Sequence, residues 1–180
     1  MDLSVQIIRR VRCFFMAMLF FCLFVPLGAS ANPFELFSVN TGSFIYHAVP
    51  QDDDATQYFD NHYFSIERKM HAESDISLVA GTFLNSQNNR CIILGGRKDW
   101  HRFSDKLVFK GVYAYAGEFF FDPFEDCGND GFYETVKDEI GIGFAPYIYH
   151  AVQYNFTDYF GVEGGLMLPG LLVMSVQWSF

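Results

Sequence analysis

Positive charge is scarce in this chain. Twelve Lys and Arg stand against 21 Asp and Glu, giving a formal net charge of −9 at pH 7. A phosphate-binding face needs clustered cations, and the cations cluster only at the extreme N-terminus, which excludes a nucleic-acid binder. Cysteine is sparse too, at 4 residues. The five histidines are scattered. No H-x-x-x-H pattern or close carboxylate spacing points to a transition-metal site, so no metal is expected. No three- or seven-residue period is sustained, which excludes collagen-like and coiled-coil structures. Beyond residue 31 no window offers 18 uninterrupted apolar residues, so a membrane-spanning helix is not expected there. What the chain has in excess is aromatic side chains: 22 Phe, 10 Tyr and 2 Trp among 180 residues that are 51% hydrophobic. Such a composition is the reverse of a disordered chain, and the length suits one domain with or without a targeting segment.

The N-terminus reads as an address. Arg9, Arg10 and Arg12 form a basic stretch, Cys13 to Leu27 a mostly apolar one, and Ala29-Ser30-Ala31 a small-residue cleavage site. This is the secretory signal pattern, and the apolar run is short for a spanning helix. The expected domains are therefore a signal peptide over 1–31 and a mature domain over 32–180. Removal of the leader leaves 9 basic and 20 acidic residues, a net of −11. Cys13 and Cys22 leave with it. Cys91 and Cys127 stay, as one disulfide or as two separate thiols.

Period-two alternation runs through the mature chain. The last segment shows it best: Leu172, Met174, Val176, Trp178 and Phe180 fall on one face, and Leu171, Val173, Ser175, Gln177 and Ser179 on the other. Strands are expected near 41–48, 60–70, 75–85, 89–98, 106–118, 139–154, 159–168 and 171–180. The sixth contains Pro146, which removes a ladder donor and calls for a bulge, a bend or an edge. In strand 2, Ser65, Glu67 and Lys69 oppose Phe64 and Ile66. Charged residues on one face and apolar ones on the other suit a polar lumen and a lipid exterior, and aromatic side chains gather at the membrane interface of such barrels. The expected fold is all-β: an eight-stranded antiparallel up-and-down transmembrane barrel. A soluble carrier-type barrel would show the same alternation with its faces exchanged. An even strand count puts both termini at one end. The external loops then fall near 49–59, with Asp52, Asp53 and Asp54, near 86–89, near 119–138, and at Pro169-Gly170. The third of these is rich in acid: Asp122, Glu125, Asp126, Asp130, Glu134 and Asp138 against Lys137. Glu67, Lys69, Arg97 and Glu163 are candidate lumen charges, paired because buried charges must be.

This topology brings His47, at the outer end of strand 1, to the same rim as Asn85 and Ser86, at the outer end of strand 3. A serine needs a base to take its proton, a histidine can serve near neutral pH, and a third group must orient the imidazole. The stretch Leu78-Val79-Ala80-Gly81-Thr82-Phe83-Leu84-Asn85-Ser86-Gln87-Asn88, with His47 and with Gly161 to Gly170, resembles the lipid A palmitoyltransferases in patches spanning roughly 41–180. Those are eight-stranded outer-membrane enzymes that carry a His at the end of strand 1 and an Asp-Ser pair at the end of strand 3. The resemblance implies acyl transfer from a phospholipid to lipid A in the bacterial outer membrane, without a cofactor, by His47, Asn85 and Ser86. It also implies outer-membrane lipids, phospholipid and lipid A, as partners; a monomer is expected. Asn85 stands where that family has Asp, Gln87 where it has an aromatic residue, and Pro33 to Asn40 is shorter than its leading helix. Outer-membrane phospholipases place Asn beside His and Ser. Small uncharacterised exported barrels of bacterial and phage origin share a looser His…Gly-Thr…Asn-Ser pattern. A non-catalytic barrel that binds or protects the surface, and a small-solute transporter, are the alternatives.

Overall fold

The structure, a computed structural model, describes residues 33–48 and 58–180. The leader over 1–31 and the acidic triplet Asp52 to Asp54 lie outside the described residues. After a 3-10 turn at Pro33–Leu36, nine strands follow: β1 (Phe37–His47), β2 (Tyr58–Asp60), β3 (Phe64–Lys69), β4 (Ile76–Leu84), β5 (Arg90–Arg102), β6 (Leu107–Gly117), β7 (Phe144–Asn155), β8 (Phe160–Met167) and β9 (Leu171–Ser179). β2 and β3 both pair with β1, β2 with Phe44 to Tyr46 and β3 with Phe37 to Thr41, so they are two lengths of one barrel strand. Antiparallel pairing runs in sequence order from β3 to β9, and β9 returns to β1. The result is a closed eight-stranded antiparallel barrel, in which only rim stretches such as β2 and the start of β7 have a single neighbour.

Burial settles which face is inside. Ser43, Ile45 and His47 of β1 are buried while Phe44 and Tyr46 are exposed. Along β9, Val173, Ser175 and Gln177 are buried while Leu172, Met174 and Trp178 are exposed. Exposed Phe64, Ile66, Ile76, Val152 and Leu166 continue an apolar belt round the exterior. A polar, charged interior inside an apolar, ring-rich wall is the signature of a transmembrane barrel and the reverse of a soluble carrier.

The strands differ from the sequence expectation at their ends. β1 begins at Phe37 and includes Asn40, and β5 runs on to Arg102. Gly42, at φ +56°, takes the left-handed conformation where the β1–β9 register shifts between Thr41 and Phe44. A residue without Cβ suits that bulge. The sixth expected strand starts late, at Phe144, because the chain before it is helical: α1 covers Gly131–Ile140. Pro146 sits opposite Tyr115 without disturbing the β6–β7 register, and β8 pairs with β7 only from Tyr149 onward. The proline therefore occupies a stretch with one neighbour, where its missing N–H breaks no ladder.

The lumen is filled in two layers. Towards the end that carries the termini lies a polar layer. Asn40 Nδ2 donates to Ser65 Oγ (3.1 Å) and Glu67 Oε1 (2.8 Å), and Gln177 Nε2 donates to Glu67 Oε2 (2.9 Å). Gln153 donates to Gln177 Oε1 (2.7 Å) and accepts from Lys110 Nζ (2.8 Å). Lys110 pairs with Glu163, which also accepts from Ser175 Oγ at 2.8 Å. Arg97 bridges Glu67 and, at 3.0 Å, Asp99. Above this layer Ile45, Tyr63, Val79, Phe83, Ile93, Val112, Tyr147, Tyr149 and Val173 pack as an apolar core. Glu67, Arg97 and Glu163 thus find partners as expected. The sequence reading passed over Lys110 and Asp99, although both lie at inward positions of their strands.

Breaking one partner of a buried pair costs about 3–5 kcal/mol, because the other charge stays behind. Arg97→Met is expected to lower unfolding stability in detergent or vesicles by that order, measured by urea titration, with Glu67→Gln in the same chain restoring part of the loss.

Candidate functional site

The loop rim, opposite the termini, holds the residues singled out for chemistry. His47 ends β1 and is 7% exposed. Its ring stacks on Phe59, with centroids 5.8 Å apart, and its Nδ1 has no hydrogen-bond partner. Asn85 follows β4 and is 6% exposed. Its Oδ1 accepts from the N–H of Gln87 (3.1 Å) and of Asn89 (2.8 Å), and its own N–H reaches Asn89 O at 2.9 Å. Asn85 is thus the organiser of the 85–89 turn, a task that Asn performs by mimicking a backbone turn. Its Nδ2 is left without a partner. Ser86 is exposed on the turn, and its Oγ donates to Gln87 Oε1 at 3.0 Å.

The three residues share a rim without touching. Among the described residues no hydrogen bond joins His47 to Asn85 or Ser86. Pairing explains the separation. Thr41 lies opposite Phe64, and Phe64 opposite Thr82. His47 is six residues beyond Thr41 on β1, whereas Asn85 is three beyond Thr82, an offset of roughly 10 Å at ~3.3 Å per residue. A nucleophile and its base need hydrogen-bond reach, about 3 Å. In this arrangement the Ser86 hydroxyl is engaged by Gln87 and the Asn85 carbonyl by its turn.

What the rim does assemble is a cap. The connection from β6 to β7 folds into a 3-10 turn at Asp122–Gly128 followed by α1. Its sequence carries the helix signals: Asp130 at the cap position, Glu134 in the first turn, Lys137 in the last, and Gly141 in the left-handed conformation as the stop. Among the described side chains of α1, Tyr133, Val136 and Lys137, at helical spacing, are the partly buried ones. Tyr133 packs onto the barrel's apolar core. Lys137 Nζ pairs with Glu118 Oε2 at 2.7 Å and donates to Asn129 Oδ1 at 2.9 Å. Asn89 Nδ2, on the neighbouring turn, donates to Asp130 Oδ2 at 2.8 Å. Cys91, at the start of β5, forms a disulfide with fully buried Cys127. The pair is one disulfide rather than two thiols. It closes a loop with a sequence separation of 36.

The fold and the rim together define a class: a closed, filled, capped barrel of the outer-membrane type. No family model matches the sequence, and no curated protein matches it. Among solved structures the chain is similar to the N-terminal β-barrel domain of Pseudomonas aeruginosa OprF, at 13% identity with a TM-score of 0.45, covering 81% of this chain and 98% of that one.

A loop of this length contributes about 4 kcal/mol through its closure entropy. Reduction, or Cys91→Ser with Cys127→Ser, is expected to leave the barrel folded and to open residues 119–142 to limited proteolysis. Burial pushes the Tyr133 phenol up to about 12, with Tyr115 adding to the shift. The docked phenol keeps its proton more tightly than a solvated one. Cap docking is therefore fully stable below pH about 10 and weakens as pH rises toward 12. Protease accessibility of α1 across that window, with Tyr133→Phe removing the dependence, checks it.

Proposed function

We propose that this chain is a non-catalytic barrel of the bacterial outer membrane whose work is done at its surface, through the cap on its loop rim. The observation that carries this reading is the filled lumen. A hydrogen-bonded charge layer and an apolar layer occupy the interior, and the disulfide-anchored cap packs onto the second of them. An eight-stranded barrel has an interior just wide enough for such filling, so a solute path would need both layers to open. The cap offers an acidic face, with Asp122, Glu125, Asp126, Asp130, Glu134 and Asp138 near a single Lys137. It is suited to a basic partner or to a shielding role outside the cell. The apolar wall meets membrane lipids, and the chain works as a monomer.

Acyl transfer to lipid A by His47, Asn85 and Ser86 is the second reading. It is favoured by one feature: His47 Nδ1 and Asn85 Nδ2 are buried polar atoms without partners, above an apolar core. Buried unsatisfied groups are rare and often mark function.

Mass spectrometry of lipid A from expressing cells separates the two. The expected result is an unchanged acyl pattern in wild type and in His47→Ala. An added chain that vanishes in His47→Ala and Ser86→Ala would establish the enzyme instead. A short epitope placed after Glu139 is expected to be detected on intact cells, and purified protein in planar bilayers is expected to show no step conductance.

A further inference from the structure

A polar cluster on the outer wall serves neither the lumen nor the loop rim. Exposed Trp100, Phe103, Tyr154, Phe156, Tyr159 and Trp178 form a ring belt at the end of the barrel that carries the termini, which marks a membrane interface. Lys98 stands beside this belt, exposed on the outward face of β5. Its ammonium lies 4.3 Å from the centre of the Trp100 ring and forms no ion pair among the described residues. The neighbouring acids of β4 and β5 turn the other way. Asp99 is buried and pairs with Arg97 and Arg102, and Asp75, opposite it in the ladder, precedes outward Ile76. Trp100 Nε1 donates to the Tyr113 hydroxyl at 3.0 Å, and that hydroxyl is 2.7 Å from His150 Nε2. His150 is half-buried and stacks on Phe109. A Cβ at Gly111 would stand 2.6 Å from the Tyr113 hydroxyl and 2.8 Å from Trp100 Nε1, so only glycine lets these three side chains lie flat on the sheet.

The cluster holds more donors than acceptors. The uncharged Trp100, Tyr113 and His150 side chains carry three N–H or O–H hydrogens and make two hydrogen bonds with one another. A phenol is the better donor of the Tyr113–His150 pair and an imidazole nitrogen the better acceptor. The Tyr113 O–H therefore donates to Nε2, and the ring hydrogen of His150 sits on Nδ1. That Nδ1 makes no hydrogen bond among the described residues. On a lipid-facing wall a donor without an acceptor is costly, and so is a bare cation. The row of paired residues through Ile76, Lys98, Gly111 and His150 starts at the first residue of β4 and climbs through Leu166 and Leu172 to Tyr46, near the rim. Lys98 thus lies at the belt and His150 farther into the wall. A phospholipid presents its acceptors in the same order, the phosphodiester at the interface and the ester carbonyls beneath it. We propose that Lys98, Trp100, Tyr113 and His150 form an outer-wall site for one phospholipid of the leaflet at the terminal end. Lys98 Nζ takes a phosphodiester oxygen, in a charge-assisted bond of the stronger kind, and His150 Nδ1 donates to an ester carbonyl. The site rests on the barrel spanning a membrane and is independent of what the cap or the His47 rim does.

The test is native mass spectrometry of the full refolded chain in uncharged detergent, titrated with dioleoyl phosphatidylglycerol, with its diether analogue, or with dioleoylglycerol. The second lipid lacks the carbonyls and the third the phosphate. Wild type is expected to retain one phosphatidylglycerol in preference to either. Lys98→Met is expected to weaken that binding about tenfold. His150→Phe keeps the ring stack, and the Tyr113 hydroxyl it leaves behind is held by Trp100 against Gly111. It is expected to weaken the ester lipid about threefold or more and to leave the diether lipid unchanged. Lys106→Met, in the β5–β6 turn and outside the cluster, is expected to change nothing. Circular dichroism checks each variant, and should Lys98→Met fail to fold, Lys98→Gln carries the same expectation. The proposal is overturned if wild type retains the three lipids equally or none of them, or if the folded Lys98 variant binds as wild type does. It is overturned too if His150→Phe keeps the full preference for the ester lipid, if Lys106→Met weakens binding as much as Lys98→Met, or if the wall holds a second copy of the chain, seen as a lipid-free dimer that Lys98→Met dissolves.

Discussion

Buried charge inside a narrow cylinder must be paired, and the rest of this structure depends on how that is done. Glu67, Arg97, Asp99, Lys110 and Glu163 come from β3, β5, β6 and β8, and Asn40, Gln153, Ser175 and Gln177 join them from β1, β7 and β9. Any one of these groups left alone would be expensive. Collectively they fix the register. Side chains alternate with a period of two, so a one-residue slip of β3 or β5 would carry Glu67 or Arg97 from the lumen to the lipid face. A basic side chain exposed at the bilayer midplane costs about 2–4 kcal/mol. The network thus selects one pairing of strands from the alternatives that apolar alternation alone would allow.

Much of this arrangement can be read from residue order, because the physics involved is local and periodic. The outward row Leu172, Met174, Trp178 and the inward row Ser65, Glu67 follow from alternation and from the rule that charge avoids lipid. The turns at 85–89 and Pro169-Gly170 follow from their residues. The parts that escaped the sequence reading depend on longer-range geometry. Lys110 sits between Phe109 and Gly111 in a strand without conspicuous polar alternation, so its partner, 53 residues away in Glu163, is set by barrel closure rather than by its neighbours. The helix α1 carried its signals in plain view, at Asp130, Glu134 and Gly141, but its density of acidic residues read as a solvated loop. The Cys91–Cys127 link could not be decided by spacing, since it depends on the cap folding back over β5.

The rim is the instructive case. His47 and Asn85-Ser86 were placed at one end of the barrel by topology, and they are there. Sharing a rim is a weak condition, because strand tilt and the break between β2 and β3 displace neighbouring strands along their length by several residues. Asn85 has a sufficient structural reason to be where it is: its carbonyl holds two backbone N–H groups of a five-residue turn that contains Asn88 at φ +66°. His47 has a packing partner in Phe59. Each residue is accounted for locally except at two nitrogen atoms, His47 Nδ1 and Asn85 Nδ2. Those two atoms are where any chemistry at the rim has to begin.

The two ends of the barrel consequently face different tasks. At the loop rim the core of the lumen continues into the cap through Cys127 and Tyr133, so the apolar interior is sealed by protein rather than by water. At the terminal end the polar layer is open to a cavity. A solute entering there meets Glu67 and Arg97 and then an apolar layer in which a charged group has no partner. To pass, it would have to break the pairs, shed its hydration among Ile45, Ile93 and Tyr149, and lift a cap held by a covalent bond. Each step alone is unfavourable, and they act in series. Among the described residues, the lumen is closed at the loop rim by the cap and open only at the terminal end.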